Sequence, residues 1–256
     1  MTVCEFLEDK NIVILGFGKQ GKATYHYIRK HFPNKIISIA DKNTNIDISE
    51  FIEDKHLVFN LGERYLENID KYDLIIKAPG VVLKDVDISK FEDKLITDYE
   101  LLLKYTNGTK IGITGTKGKS TTSTIMYKLL QEQGKKVFLL GNIGNPILEY
   151  IDEIDENTYV VIEVSSHTLE FVKSSPDIAV LLDIYPEHLD HCNGIEDYIK
   201  AKFNIAKYQD DSNYFIYNAE NELMKNYNFN YSLFSKISQR KNNTNQKHTA
   251  CPPAQK

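Results

Sequence analysis

Residues 110–121 read KIGITGTKGKST, an apolar strand pattern that runs into a glycine loop, with a helical pattern from Thr122 to Gln133 behind it. Strand, glycine loop and helix in that order form a unit in which successive backbone N–H groups cradle phosphates at a helix N-terminus. In such a loop Lys119 reaches the β- and γ-phosphates and the Ser120 hydroxyl binds a magnesium ion, so the stretch predicts a nucleoside triphosphate site. Its candidate nucleotide-binding residues are Gly115, Thr116, Lys117, Gly118, Lys119, Ser120 and Thr121. The spacing departs from the common phosphate loop of Gly, four residues, then Gly-Lys-Ser. Ile113 stands five positions before Gly118, and Gly115 lies too close.

Upstream, the same arrangement occurs once more. The strand pattern Asn11 to Leu15 leads into Gly16-Phe17-Gly18-Lys19-Gln20-Gly21, a helix follows through Ala23 to Arg29, and the next strand closes on Asp41. Glycines there allow a tight turn and the approach of a pyrophosphate to the helix N-terminus, and an acid closing the second strand commonly meets a ribose or base. Taken alone, this loop fits a dinucleotide enzyme or plain turn chemistry. Further β-branched runs at Ile36 to Ala40, Leu57 to Asn60, Asp73 to Ala78, Val137 to Leu140, Tyr159 to Val164, Ile178 to Asp183 and Tyr214 to Tyr217 alternate with helical pattern. That alternation builds parallel sheets covered by helices, an α/β fold. A helix Tyr99 to Tyr105 and an Asn-Gly turn separate the two loop units, which predicts domains at 1–97 and 98–234. From 235 to 256 the chain is rich in Asn, Lys, Gln and Ser and is expected to be a disordered tail.

The composition narrows the partners. A chain of 256 residues, 41% hydrophobic and 26% charged, can bury proper cores, and a net charge of −5 argues against general nucleic-acid binding. Cys4, Cys192 and Cys251 are too scattered for a disulfide framework, and no apolar run has transmembrane length. The expectation is a soluble cytoplasmic protein that works on small ligands.

TGTKGKST at 114–121 resembles the ATP loop of the Mur ligase family and its relative folylpolyglutamate synthase, which share the shortened spacing. GNIG at 141–144, EVSSHTLE at 163–170, EHLDH at 187–191 and YIKAKFNI at 198–205 resemble further family segments in the same order. With APGV at 78–81 and TDYELL at 97–102, the first part is most similar to the D-glutamate-adding member. EVSSH is also similar to the diaminopimelate- or lysine-adding member, whose N-terminal domain lacks the opening glycine loop.

The resemblance implies a Rossmann-like domain for a UDP-linked substrate followed by a P-loop-type ATP domain. The implied reaction joins D-glutamate to UDP-N-acetylmuramoyl-L-alanine through an acyl phosphate, with ATP and magnesium, in a cytoplasmic monomer of peptidoglycan synthesis. It implies that Gly16, Phe17, Gly18, Asp41, Pro79, Gly80 and Asn142 meet the substrate, with Asp41 on the uridine. Glu163 closes an apolar strand, a place from which a carboxylate can hold magnesium beside phosphates. The resemblance further implies that His188 binds a second magnesium or orients the acyl-phosphate region, that Asn142 lies near the reacting carboxylate and that Lys202 is a carbamylated, metal-bridging lysine. With Lys119, these form the implied catalytic set. Family members continue into the rest of the ATP domain and a third α/β domain, whereas the pattern here stops after NAENELM at 218–224. The expectation is therefore a truncated ligase with an incomplete ATP domain that keeps substrate binding and loses turnover. A Mur-family ligase for another amino acid, a noncatalytic nucleotide-binding remnant and, more distantly, a dehydrogenase are the alternatives.

Overall fold

In the computed structural model, which describes residues 1–185, 194–218, 220, 221 and 223, two five-stranded sheets stand in succession. The first holds β1 (Ile12–Leu15), β2 (Ile37–Asp41), β3 (Leu57–Leu61), β4 (Leu74–Lys77) and β5 (Leu95–Ile96) in the order β3-β2-β1-β4-β5. The second holds β6 (Thr109–Thr114), β7 (Val137–Gly141), β8 (Tyr159–Glu163), β9 (Ile178–Leu181) and β10 (Tyr214–Tyr217) in the order β10-β9-β6-β8-β7. Every pairing is parallel. All four residues of β1 and of β4 are buried, as continuous apolar runs covered on both faces require.

The helices are α1 (Val3–Leu7), α2 (Lys19–His31), α3 (Asp98–Tyr105), α4 (Lys119–Glu132), α5 (Ile147–Tyr150), α6 (Ser166–Leu169) and α7 (Ile195–Phe203). Local chemistry sets their ends. Thr2 and Glu5 form a reciprocal capping box on α1. Thr97 accepts from the Glu100 N–H at the start of α3. Arg29, Lys30 and His31 close α2, where cations favour the helix dipole.

One apolar cluster runs across both sheets, from Leu7, Ile12 and Ile28 through Tyr99 and Leu101 to Leu140, Ile147 and Val160. α2 packs against α5 within it. In each sheet the chain leaves the central strand in one direction and later returns on its other side, so β1 and β6 mark topological switch points. Ligands of open α/β sheets bind outside the carboxyl ends of strands at such points. Both glycine loops follow these central strands.

Candidate active site

At the second switch point, Gly115 takes a φ of +151°, and a Cβ there would stand 2.6 Å from Leu182 Cβ, so the loop turns flush against the exit of β9. Gly118 caps α4, whose first-turn N–H groups lack intrahelical partners. Lys117, Gly118, Thr122, Leu182, Asp183 and Tyr185 line a cleft of about 490 Å³, in the size range of small-ligand sites. Ser120 and Thr121 are exposed beside it.

Thr116 has a structural task in this arrangement. Its buried hydroxyl accepts from the Tyr185 N–H at 3.0 Å and lies 3.1 Å from the Tyr198 hydroxyl, while its own N–H donates to Asp183 O. Lys119 Nζ donates to the carbonyls of Gly115 at 3.0 Å and Thr116 at 2.9 Å. Lys202, only 2% exposed on α7, donates to the same Gly115 oxygen at 2.8 Å. Two ammonium groups thus share one carbonyl acceptor.

Glu163 ends β8 with a side chain that is 5% exposed. Its Oε2 is buried without a hydrogen-bond partner, and a buried unpaired carboxylate oxygen is costly unless a cation meets it. The Asn142 N–H donates to the Glu163 carbonyl at 3.0 Å. Oxygen chemistry of this kind fits magnesium, with the Ser120 hydroxyl on the neighbouring loop. His188 lies outside the described residues, as does the whole EHLDH segment.

The first sheet meets this edge directly. Gln20 Nε2 donates to Gly141 O at 3.0 Å and Lys19 Nζ to Gly144 O at 3.2 Å, so the first glycine loop is fastened to the GNIG turn. Gln20, Pro79, Asp98, Asn142, Glu163 and Thr168 line one small cavity between the sheets. At the first switch point Gly16 has a φ of +92°, and a Cβ there would lie 2.5 Å from Val81 Cγ2. The APGV turn therefore closes over the glycine loop. Phe17 sends its ring into an aromatic cluster with Tyr25, Phe51 and Phe59, so only its backbone faces the loop. Its N–H donates to Asp41 Oδ2 at 2.7 Å, and Asp41 Oδ1 accepts from Asn43. Asp41 thus braces the loop, and the N–H groups left for an anion begin at Gly18. Gly80 is exposed at the tip of its turn.

Several residues here received no weight from sequence. Asp183 follows β9 on the cleft and accepts from Asn218 at 2.9 Å and Asn221 at 3.4 Å. It carries the same signal as Glu163 and Asp41, an acid closing a strand. Gln20 sits inside the quoted glycine loop, between Gly18 and Gly21, and is not among the candidate residues of that loop. Lys77 and Asp98 are buried charged residues, 1% and 5% exposed, and Asp98 lines the cavity. Burial pushes Lys77 down to about 8, against the pull of Glu170 and Asp98, and pushes Asp98 up to about 6.

A depressed lysine pKa makes a contribution to stability that is complete above the free value of 10.5 and lost as pH falls to about 8. Relative to Lys77→Met, the wild-type chain should therefore gain about 3 kcal/mol between those limits. Denaturant midpoints of both proteins across that range measure it, and a constant difference would contradict the assignment.

Comparison with known proteins gives a consistent picture. The family described as Mur ligase middle domain matches residues 113–251. UDP-N-acetylmuramoylalanine--D-glutamate ligase of Clostridium kluyveri is 34% identical over 225 residues, 86% of this chain and 49% of the relative. The protein of the same name in Clostridium acetobutylicum is 31% identical over 229 residues, 87% of this chain and 49% of the relative. The chain spans about half the length of these curated relatives. Among solved structures, UDP-N-acetylmuramate:L-alanyl-gamma-D-glutamyl-meso-diaminopimelate ligase from Neisseria meningitides superposes with a TM-score of 0.50 at 16% identity. The match covers 84% of this chain and 73% of that one, a likeness of fold. Among the described residues no helix is long and apolar enough to cross a membrane.

Proposed function

The chain belongs to the Mur ligase family, and from that premise we propose that it serves the ATP-dependent joining of D-glutamate to UDP-N-acetylmuramoyl-L-alanine in peptidoglycan precursor synthesis. Residues 1–97 take the UDP-linked substrate and residues 98–234 take ATP. The observation that carries the reading is the cavity at which Gln20 and Pro79 from the first sheet meet Asn142 and Glu163 from the second. A substrate held on the first glycine loop would extend its carboxylate across that seam toward the phosphate loop. The names of the relatives support D-glutamate as the incoming amino acid.

The chemistry asks for positioning and charge neutralisation. The substrate carboxylate attacks the γ-phosphorus of ATP, ADP leaves, and the amine of D-glutamate then displaces phosphate from the acyl phosphate as the amide bond forms. Magnesium, when bound, supplies positive charge against the phosphate oxygens. Lys119 exchanges its contacts to Gly115 and Thr116 for the phosphates, which it can do because both are carbonyls of its own loop. Glu163 offers its unpaired oxygen and Ser120 its hydroxyl as metal ligands, and Asn142 orients the carboxylate. The family resemblance gives Lys202, which shares the Gly115 carbonyl with Lys119, the role of a carbamylated, metal-bridging lysine.

The reading predicts phosphate release from ATP that depends on both UDP-N-acetylmuramoyl-L-alanine and D-glutamate, measured on the complete gene product that contains these residues. Release driven by a different amino acid, with none for D-glutamate, would overturn the specificity.

A further inference from the structure

At the far end of α2 from its glycine loop, Cys4, His31 and Asp152 bring a sulfur, a ring nitrogen and a carboxylate oxygen within 4.8 Å of one another. We propose that these three side chains form a binding site for a thiophilic divalent cation of the zinc type, separate from the nucleotide loops and joining elements of the two sheets. Cys4 stands on α1, His31 is the last residue of α2, and Asp152 lies in the 3-10 turn Ile151–Glu153 that follows α5. α2 has 13 residues, so His31 lies ~20 Å from the glycine loop at the other end.

The donor set selects the ion. Zinc accepts Cys, His and carboxylate ligands at ~2.0–2.3 Å in tetrahedral geometry, which places neighbouring donor atoms ~3.3–3.7 Å apart. His31 Nε2 and Asp152 Oδ2 stand at 2.8 Å, so they would separate slightly while the sulfur closes in. Magnesium and calcium seek all-oxygen shells and have no use for a thiolate. With Cys4 as thiolate, Asp152 ionised and His31 neutral, a divalent ion gives a centre of zero net charge. Binding would displace the Cys4 thiol proton and the proton shared by His31 and Asp152.

Partners behind the three ligands are in place as well. The Tyr27 hydroxyl lies 3.2 Å from Cys4 Sγ, and Lys30 Nζ donates to Asp152 Oδ2 at 2.8 Å. Such outer contacts orient ligands in metal sites. The His31 and Asp152 side chains are 26% and 37% exposed, which leaves a solvent-facing position for a fourth ligand such as water. The Lys30 ammonium opposes the cation, and its side chain, 66% exposed, can swing away into water. Because Lys19 and Gln20 fasten the first end of α2 to the GNIG turn, a metal at its last residue would pin both ends of the helix to the second sheet.

Cobalt titration of the purified chain tests the site through a signature that an ion-pair cluster cannot give. One equivalent of cobalt(II) should produce a thiolate-to-metal charge-transfer band in the near ultraviolet, and one equivalent of zinc should bleach it. The band should persist in Cys192→Ser/Cys251→Ser and vanish in Cys4→Ser, and His31→Gln should weaken zinc binding by ~100-fold or more, beyond the ~10–100-fold expected for an outer partner such as Tyr27→Phe. Absence of a thiolate band, or its survival in Cys4→Ser, would reduce the cluster to a salt bridge. Should Cys4→Ser fold poorly, alkylation of Cys4 in the wild-type chain, followed by peptide mass mapping, decides the matter. Zinc should slow it at least ~10-fold, and an unchanged rate overturns the proposal.

Discussion

Lys119→Ala should lower the rate of phosphoryl transfer by ~10²–10³-fold, the usual effect of deleting one preorganised charge aimed at a developing oxyanion. The residue stands at the first position of α4, with its ammonium held on two carbonyls of the glycine loop. The structural cost of the substitution is small. Lys119 contributes only its contacts to Gly115 O and Thr116 O, and Gly115 O keeps Lys202 as a donor. A net loss of about 1 kcal/mol of stability is expected. Binding and chemistry therefore separate from folding: denaturant midpoints should barely move, MgATP affinity of the chain should fall, and transfer in the complete gene product should collapse. Wild-type turnover in Lys119→Ala would remove the loop from the mechanism.

Glu163→Gln should show the opposite signs in two measurements on one protein. The substitution keeps the shape of a side chain whose Oε2 is buried without a hydrogen-bond partner, and it removes a charge from a dry position. Metal-free stability should therefore be no lower than wild type, since an ionised carboxylate costs more to bury than an amide. Magnesium loses its buried ligand, and MgATP affinity should weaken ~100-fold. At a ligand concentration 100-fold above the wild-type Kd, stabilisation of about 2.7 kcal/mol would shrink to about 0.4 kcal/mol. Thermal unfolding with and without MgATP reads both effects. Equal ligand-induced stabilisation in the two proteins would mean that Glu163 does not serve the metal.

Most of the sheet architecture is legible in the sequence because parallel strands buried on both faces leave continuous β-branched runs. Among the described residues, nine of the ten strands correspond to runs visible in the sequence, from Asn11 to Leu15 through Tyr214 to Tyr217. β5 escapes because two residues, Leu95 and Ile96, cannot display a period. α1 escapes for a similar reason, although Thr2 and Glu5 carry the capping-box spacing. The site is legible where backbone needs dictate residue type, as at Gly16 and Gly115. It is less legible where a side chain has two possible directions. The Phe17 ring turns into the core, Asp41 braces its own loop, and the Thr116 hydroxyl ties Tyr185, beyond the end of β9, to Tyr198 of α7. Gln20 and Asp183 act through partners more than a hundred and about thirty-five residues away, a relation that no local pattern contains.

The central claim is that the first glycine loop receives a UDP-linked muramoyl substrate and presents its carboxylate to the second. Calorimetric titration of the chain with UDP-N-acetylmuramoyl-L-alanine, and separately with NAD, tests it most directly. The account predicts saturable binding of the UDP substrate at one site and no heat with NAD. Tight NAD binding with no response to the UDP substrate would contradict it.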